Sequence, residues 1–347
     1  MKYGVLADKH FSGYSRDKID SETGLTLRLS NIVRSFKEVI EICRERKIKR
    51  IISAGDTLHN KSIIYSVAQS ELLKIIRGNK DIEFYFLDGN HDIDSYRKDA
   101  ISSLQFLDSE NNVTRIDTND VYRLDNILFV PYSLDIVNNI ITNSSDILIS
   151  HFGLNEAVLA SGIHRVSDIS IKDLVGKYKL VILGHYHNPQ EIINDQISIY
   201  YTGSPCHLDW NDKNQEKRFL IFDSETLEVE SVTLNNYTKY IELVIEKDNA
   251  DEVMERAKAE MEQGNFVKLV KTSDFTIDTN ELPEGIQYID RSSKEYTDRG
   301  INRTMTDEEI LSQFLKAKGI DDDVYKEKLL SRGKEFILLY KQKIKNQ

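Results

Sequence analysis

Five short apolar runs in the first 190 residues each stop on the same kind of side chain, and that repetition constrains the fold more than any other feature. KYGVLA leads into Asp8, Lys9 and His10, and RIISAG into Asp56, Thr57, Leu58, His59 and Asn60. EFYFLDG leads into Asn90, His91 and Asp92, DILIS into His151, and LVILG into His185 and His187. The runs have strand length and are rich in β-branched or aromatic residues. Between the first three lie segments with helical spacing, at 30–47 and 62–77. Strand alternating with helix predicts an α/β sheet with crossover connections. In such sheets the ligand site lies outside the carboxyl ends of the strands. Five strand ends carrying Asp, His or Asn therefore converge on one crevice.

Taken singly, each ending is weak, because a D-x-H, a G-D or a lone His also serves as a polar turn closing a buried strand. Jointly they carry weight: six of the eight histidines sit just past a strand end. A glycine precedes Asp56, Asn90 and His185, and a tight glycine turn lets backbone approach a bound group closely. The reading this favours for His185 and His187 is metal ligation. Imidazole with carboxylate and carboxamide, and no thiolate, suits Mn²⁺, Fe or Zn²⁺ and disfavours a structural zinc site. Seven candidate ligands are too many for one ion. They suit two ions about 3.5–4 Å apart, the arrangement that serves in-line displacement at phosphorus.

Composition narrows the alternatives. The 347 residues leave room for one large domain and something smaller. A formal net charge of −11 argues against binding a polyanion through a simple basic face. Nucleic acid stays open if the negative charge gathers around metal ions or meets a basic partner subunit. No apolar stretch has membrane-span length, and the opening MKYGVLADKH puts Asp and His where a signal peptide needs its apolar centre. A cytoplasmic protein without membrane attachment is expected. Two cysteines are too few for a disulfide framework, and Cys43 is read as core packing.

In order over residues 8–187, the segments ADKH, GDTLHN, GNHD, SHFG and GHYH follow the pattern D-x-H, G-D, G-N-H-D, lone His and G-H-x-H. On these residues the chain resembles the calcineurin-like metallophosphoesterase superfamily. Within it, GDTLHN in place of G-D-x-x-D-R-G, YTGSP at 201–205 and the C-terminal architecture resemble the SbcD-type DNA-repair nucleases in their small phage form. The resemblance implies an α/β fold, a two-sheet αββα sandwich with a small α+β capping domain and C-terminal helices. It makes Asp8, His10 and His187 ligands of one ion and Asn90, His151 and His185 ligands of the other, with Asp56 bridging. His91 falls at the position that assists the reaction without binding metal, and His59 near the scissile phosphate. Two Mn²⁺ are implied, with Mg²⁺, Fe or Zn²⁺ as alternatives. So are a DNA substrate, double-strand exonuclease and single-strand endonuclease activity, and an SbcC-type SMC-like ATPase partner. A homodimer within a heterotetramer is implied too, in the host bacterial cytoplasm if the chain is phage-encoded. Two rivals remain: another phosphoesterase on the same scaffold acting on small nucleotides or phosphoproteins, and a metal-free scaffold that binds partners.

The expected division is a nuclease domain at 1–234, a DNA-capping domain at 237–290 and partner-binding helices at 304–347. The runs between 190 and 234 read as antiparallel strands completing a sheet, and VYRLDNILFVPY at 121–132 suggests a second one. The segment 290–303 reads as a linker. Beyond it, Thr306 and Glu309 form a capping box ahead of an apolar stripe of Ile310, Leu311, Phe314 and Leu315, with Gly319 as the stop. A second helix would carry Val324, Leu329, Leu330, Ile337 and Tyr340. His164 reads as a loop histidine, His207 matches no ligand position, and Trp210 reads as packing rather than a base-stacking platform. For Asp92, orienting the His91 ring and capping a turn are equally weighted.

Overall fold

The computed structural model describes residues 1–13, 18–94, 100–159, 166–279, 282–292, 306–317, 325 and 327–334. The chain opens with β1 (Lys2–Leu6), α1 (Leu27–Glu45), β2 (Arg50–Ala54), α2 (Ser66–Gly78) and β3 (Glu83–Leu87). It continues through β4 (Val113–Ile116), β5 (Tyr122–Leu124), β6 (Ile127–Val130), α3 (Ile136–Thr142), β7 (Ile147–His151), α4 (Ile171–Leu174) and β8 (Leu180–Gly184). Next come β9 (Gln190–Ile193), β10 (Ser198–Tyr201), β11 (Arg218–Asp223) and β12 (Val229–Thr233). The remainder holds β13 (Tyr240–Ile245), α5 (Ala250–Glu262), β14 (Phe266–Lys271), β15 (Gln287–Asp290) and α6 (Asp307–Ala317). Two compact units emerge: Met1–Glu242 with Ala257–Lys268, and Leu243–Arg256 with Leu269–Gln347.

The first unit contains two six-stranded sheets, ordered β12-β11-β1-β2-β3-β4 and β5-β6-β7-β8-β10-β9. Strands β1 through β4 run parallel in one, with antiparallel β11 and β12 on the β1 side, and β6, β7, β8 and β10 run parallel in the other, flanked by antiparallel β5 and β9. Strand side chains alternate between faces. Tyr3 and Val5 of the first strand, with Ala7 just past it, thus join Ile52, Ala54, Phe129, Ile149 and Ile182 in a buried layer shared by both sheets. Leu6 and Ile51, on the opposite face, pack with Phe36, Ile40, Leu72 and Ile76 from α1 and α2. Ile136, Ile140 and Leu174 from α3 and α4 cover the outer face of the other sheet at Leu148 and Val181. The order of layers is helix, sheet, sheet, helix. Burial on both faces explains why the parallel strands read as continuous apolar runs. Cys43 is fully buried in the outer core, as its helical setting predicts.

The strands after residue 190 correct one expectation. They do not complete a single antiparallel sheet: β9 and β10 extend the second, whereas β11 and β12 return to the first beside β1. Moreover, β10 pairs parallel to β8, Ile199 with Val181, and is antiparallel only to β9.

The strands β13, β14 and β15 form a three-stranded sheet. Gly264, after α5, has a φ of +83° and donates its N–H to the Met261 carbonyl, as an αL helix cap should. In the second unit α6 opens with the expected capping box. Glu309 N donates to Thr306 Oγ1 at 3.3 Å, and the Glu309 carboxylate accepts from Thr306 N at 2.6 Å. The linker after Ser292, Gly319, Val324, Ile337, Tyr340 and His164 lie outside the described residues. Among the described residues no helix is long and apolar enough to cross a membrane.

Candidate metal centre

The loops after β1 and β2 are joined through their backbones, and the loops after β3 and β8 are tied to them by the Asp56 and Asp8 carboxylates. Asp8 N donates to Gly55 O at 3.1 Å, His10 N to Asp56 O at 3.0 Å, and Phe11 N to Thr57 O at 2.8 Å. The chain turns sharply there. Asp8 and His10 both have φ of 52°, Asp56 has 49° and His185 96°. Left-handed backbone at a non-glycine residue costs about 1–3 kcal/mol and tends to gather where structure over-determines it. Glycine permits the closest approaches. A Cβ on Gly55 would stand 2.1 Å from His151 Nδ1, and one on Gly89 2.2 Å from Asp56 N. These glycines therefore admit neighbouring candidate ligands, a use the sequence reading had assigned to a bound group.

All seven predicted ligand positions come together. Asp8, His10 and His187 form one set of converging donor atoms, and Asp8, Asp56 and His151 another, each within 4.8 Å. His10 Nε2 lies 3.1 Å from His187 Nε2 and 3.6 Å from Asp56 Oδ2. The other Asp56 oxygen, Oδ1, lies 3.3 Å from His151 Nε2. Asn90 Oδ1 stands 3.1 Å from His151 Nε2 and 3.0 Å from His185 Nδ1. The Asp8 carboxylate accepts the His185 N–H at 3.0 Å. Asp56 thus faces both groups of donors, one oxygen to each.

Proton positions test whether cations fit. His151 Nδ1 donates to the Ala54 carbonyl at 2.8 Å, which leaves the lone pair of a neutral ring at Nε2, facing two oxygen acceptors. Such a contact needs a second proton or a cation. On the other side, His10 Nε2 lies beside His187 Nε2 and Asp56 Oδ2, and its Nδ1 is 3.4 Å from His59 Nδ1, the nitrogen that accepts from Arg28 Nη2. Imidazole nitrogens gathered with carboxylate and carboxamide oxygens make a donor set that could hold divalent cations of the Mn²⁺, Fe and Zn²⁺ type. Charge follows the same logic. Burial alone would push the Asp56 carboxyl up, but His151 and His10 outweigh it and hold it well below the usual range. Burial opposes a charge on His151, yet Asp56 raises it to about 9. Burial drives His10 well below the ordinary histidine value and raises Asp8.

The two predicted reaction residues are half-buried at the edge of the centre. His91 N donates to Asp56 Oδ1 at 2.8 Å, and its ring gives Nδ1–H to the His59 carbonyl at 2.6 Å. The His91 ring meets His10 edge-on, centroids 4.8 Å apart. His10, His59 and His91 also form a third converging trio. Burial, then Arg28, lowers His59 to about 4. Asp92 does not orient His91. Its carboxylate accepts from Leu58 N at 2.8 Å, Gly89 N at 2.9 Å and Thr57 N at 3.1 Å, so it pins the loops that carry Asp56 and Asn90.

Sequence reasoning missed the buried cations. Lys9, between two candidate ligands, is fully buried and bonds Ser53 Oγ and, at 3.3 Å, Thr57 Oγ1; burial lowers it to about 8. Lys217 is equally buried and donates to Asp212 Oδ1 and Ser204 Oγ at 2.8 Å, Gln215 Oε1 at 2.9 Å and His187 O at 3.0 Å. It anchors the backbone of His187 from behind. The sequence hint is slight: Lys217 stands one residue ahead of the apolar run Phe219–Phe222. Lys217→Met would leave the Asp212 charge buried and alone, and should destabilise the protein by about 3–5 kcal/mol in urea unfolding. A loss below about 1 kcal/mol would remove this pair from the scaffold.

His207 is a strut rather than a ligand. Its Nε2–H donates to Gln215 O at 2.8 Å and its Nδ1 accepts from Tyr240 N at 2.9 Å, while burial lowers it to about 4. Trp210 meets Tyr240 edge-on at 5.0 Å with Lys268 Nζ 3.7 Å above its ring, which bears out the packing reading.

Two mixed sheets in a sandwich, with Asp, His and Asn gathered at their strand ends, define an α/β protein built around a candidate dimetal centre. The chain belongs to the calcineurin-like phosphoesterase superfamily, whose domain matches residues 1–227. Phosphoester hydrolysis is the chemistry that membership suggests. A curated relative, exonuclease subunit 1 of Enterobacteria phage T4, is 23% identical over 345 residues, covering 90% of this chain and 97% of its own. Among solved structures, a dimetal phosphatase from Danio rerio is 10% identical, with 67% of this chain and 99% of that one covered at a TM-score of 0.41. A putative 5'-nucleotidase from Staphylococcus aureus is 12% identical, with 74% and 58% covered at 0.42.

Proposed function

We propose that this chain is the nuclease subunit of an SbcCD-like recombination complex of phage type, hydrolysing DNA phosphodiesters with two Mn²⁺. Exonuclease action on double-stranded ends and endonuclease action on single strands are both included. One observation carries the reading: similarity to a phage exonuclease subunit extends over 90% of the chain, beyond the phosphoesterase domain that ends at residue 227. Asp8, His10 and His187 would hold one ion and Asn90, His151 and His185 the other, with Asp56 shared. When bound, such ions supply Lewis acidity toward water and toward the phosphoryl oxygens.

The chain's own residues do the rest. Asp56 ties the two donor groups together, and its Oδ1 also accepts the His91 N–H, which fixes the reaction residue to the centre. With Nδ1–H committed to the His59 carbonyl, a proton on His91 Nε2 makes the ring a donor toward the leaving 3′ oxygen. The Ala54 carbonyl holds His151 in the Nδ1–H tautomer. In this reading residues 237–290 guide DNA, and the helices of 304–347 bury their apolar stripe on an SbcC-type ATPase within a heterotetramer.

A second reading, a phosphodiesterase of small nucleotides, is favoured by a cleft of about 400 Å³ beside Asn90 and His185, walled by Tyr132, Phe152 and Tyr186. One experiment separates them. Purified protein is given a labelled single-stranded oligonucleotide, a cyclic nucleotide or bis(p-nitrophenyl) phosphate, with Mn²⁺, Mg²⁺ or EDTA. Oligonucleotide cleavage with Mn²⁺, weak with Mg²⁺ because that ion keeps its waters, and none in EDTA is the expected result. Turnover of the cyclic nucleotide with an intact oligonucleotide would overturn the DNA reading.

A further inference from the structure

We propose that Arg28 forms a phosphate subsite at the edge of the centre, binding the DNA phosphate next to the one cleaved. This rests on the nuclease reading above. Arg28 lies in the first turn of α1, an element that contributes none of the candidate ligands. Its Nη2 stands 3.4 Å from His59 Nδ1, and among the described residues that is the one hydrogen bond its guanidinium makes. The Nε–H is buried without a partner. An arginine fork carries five N–H donors, and an unmet buried donor ordinarily costs stability.

Two other arginines also leave a buried Nε unmet, but each gives its Nη groups to oxygen acceptors. Arg218 holds Glu191, Ser231 and the carbonyls of Gln190 and Tyr201, and Arg34 holds Asn31. Arg28 alone of the three presents its charge to an imidazole, in a protein whose net charge is −11 and where carboxylate partners are plentiful. A guanidinium facing His10, His59 and His91 is repelled by any cation held there. An anion spanning the gap reverses the sign of that interaction, and planar, bidentate phosphate recognition is what guanidinium does best.

The position decides which phosphate. His59 Nδ1 lies 3.4 Å from both Arg28 Nη2 and His10 Nδ1. The guanidinium thus meets His59 rather than a candidate ligand, which places it beside the centre, toward a neighbouring phosphate along the strand.

The test pairs the residue with the substrate. Oligonucleotides carrying a single neutral methylphosphonate are prepared with the replacement stepped along either side of the cleaved bond. Wild-type kcat/KM should fall about tenfold, mainly through KM, at one adjacent position, the loss of one charge-assisted contact. Arg28→Gln should show no further loss there, because the partner is already gone. In EDTA, anisotropy with a labelled single strand should show Arg28→Gln binding about tenfold more weakly, with a salt slope smaller by about 0.7. Arg28→Lys, which keeps the charge and loses the fork, should retain the slope and recover part of the affinity. An equal methylphosphonate penalty in wild type and Arg28→Gln, or equal affinity and slope in EDTA, would overturn the subsite. Failure of wild type to cleave any oligonucleotide would instead sink the nuclease reading on which it rests.

Discussion

Asp56→Ala is expected to abolish phosphodiester hydrolysis and to strip the purified protein of its divalent metal. The Asp56 carboxylate sets one oxygen 3.6 Å from His10 Nε2 and the other 3.3 Å from His151 Nε2, facing both donor groups. Losing it removes a negative charge from both donor groups at once and frees the His91 N–H that Oδ1 accepts. Each tenfold of rate is about 1.4 kcal/mol of barrier, and the charge stabilisation an ion supplies at phosphorus is several kcal/mol. Loss of both ions should therefore bring turnover to background. Mass spectrometry for metals and cleavage of one labelled oligonucleotide measure the two consequences together. Robust cleavage by the Asp56→Ala protein would end the two-metal assignment.

His91→Asn should separate what Asp56→Ala joins. Its ring is held by the His59 carbonyl and lies against His10, yet its backbone, not its side chain, bonds Asp56. Removing the imidazole therefore leaves the carboxylate where it is. Metal content and oligonucleotide binding should stay near normal while cleavage falls about 10²–10⁴-fold, the usual share of general acid–base help. His185→Asn, whose ring meets Asn90, is the contrasting variant and should lose metal and activity together. Because His10, His59 and His91 also converge, the result has force. A His91→Asn protein without metal would make His91 a ligand, and one with full activity would leave it no part in the reaction.

The site was largely legible from sequence because its residues come from the ends of doubly buried strands. Those strands read as unbroken apolar runs, so the polar residue that ends each run stands out. The carboxyl-end rule for α/β sheets then does the collecting. What could not be read was long-range. Whether β10 runs parallel to β8, and whether β11 returns to β1, depends on pairings that no local pattern encodes. Lysine burial was hidden for a related reason. Lys217 looks like a solvated residue until His187, Ser204, Asp212 and Gln215 are brought around its ammonium. Nothing in the sequence marks Arg28, which stands ahead of the 30–47 helical spacing, since its meaning lies in a histidine 31 positions away. For Asp92, orienting His91 and capping a turn carry equal weight in the sequence, and the three backbone N–H groups it accepts from are a long-range arrangement no neighbour reveals.

The candidate ligands divide between the two sheets: Asp8, His10, Asp56 and Asn90 follow strands of one, and His151, His185 and His187 belong to the other. Ions bridging them would be rivets through the sandwich. The register of one sheet on the other then becomes a chemical variable, because a slide between layers would pull His151 off Asp56 and His187 off His10. Ala7 and Ala54, small residues in the shared layer, sit at that seam, where Gly184 already has no room for a Cβ against either. Enlarging one of them would act like a shim in a hinge, detuning the reaction without touching a ligand.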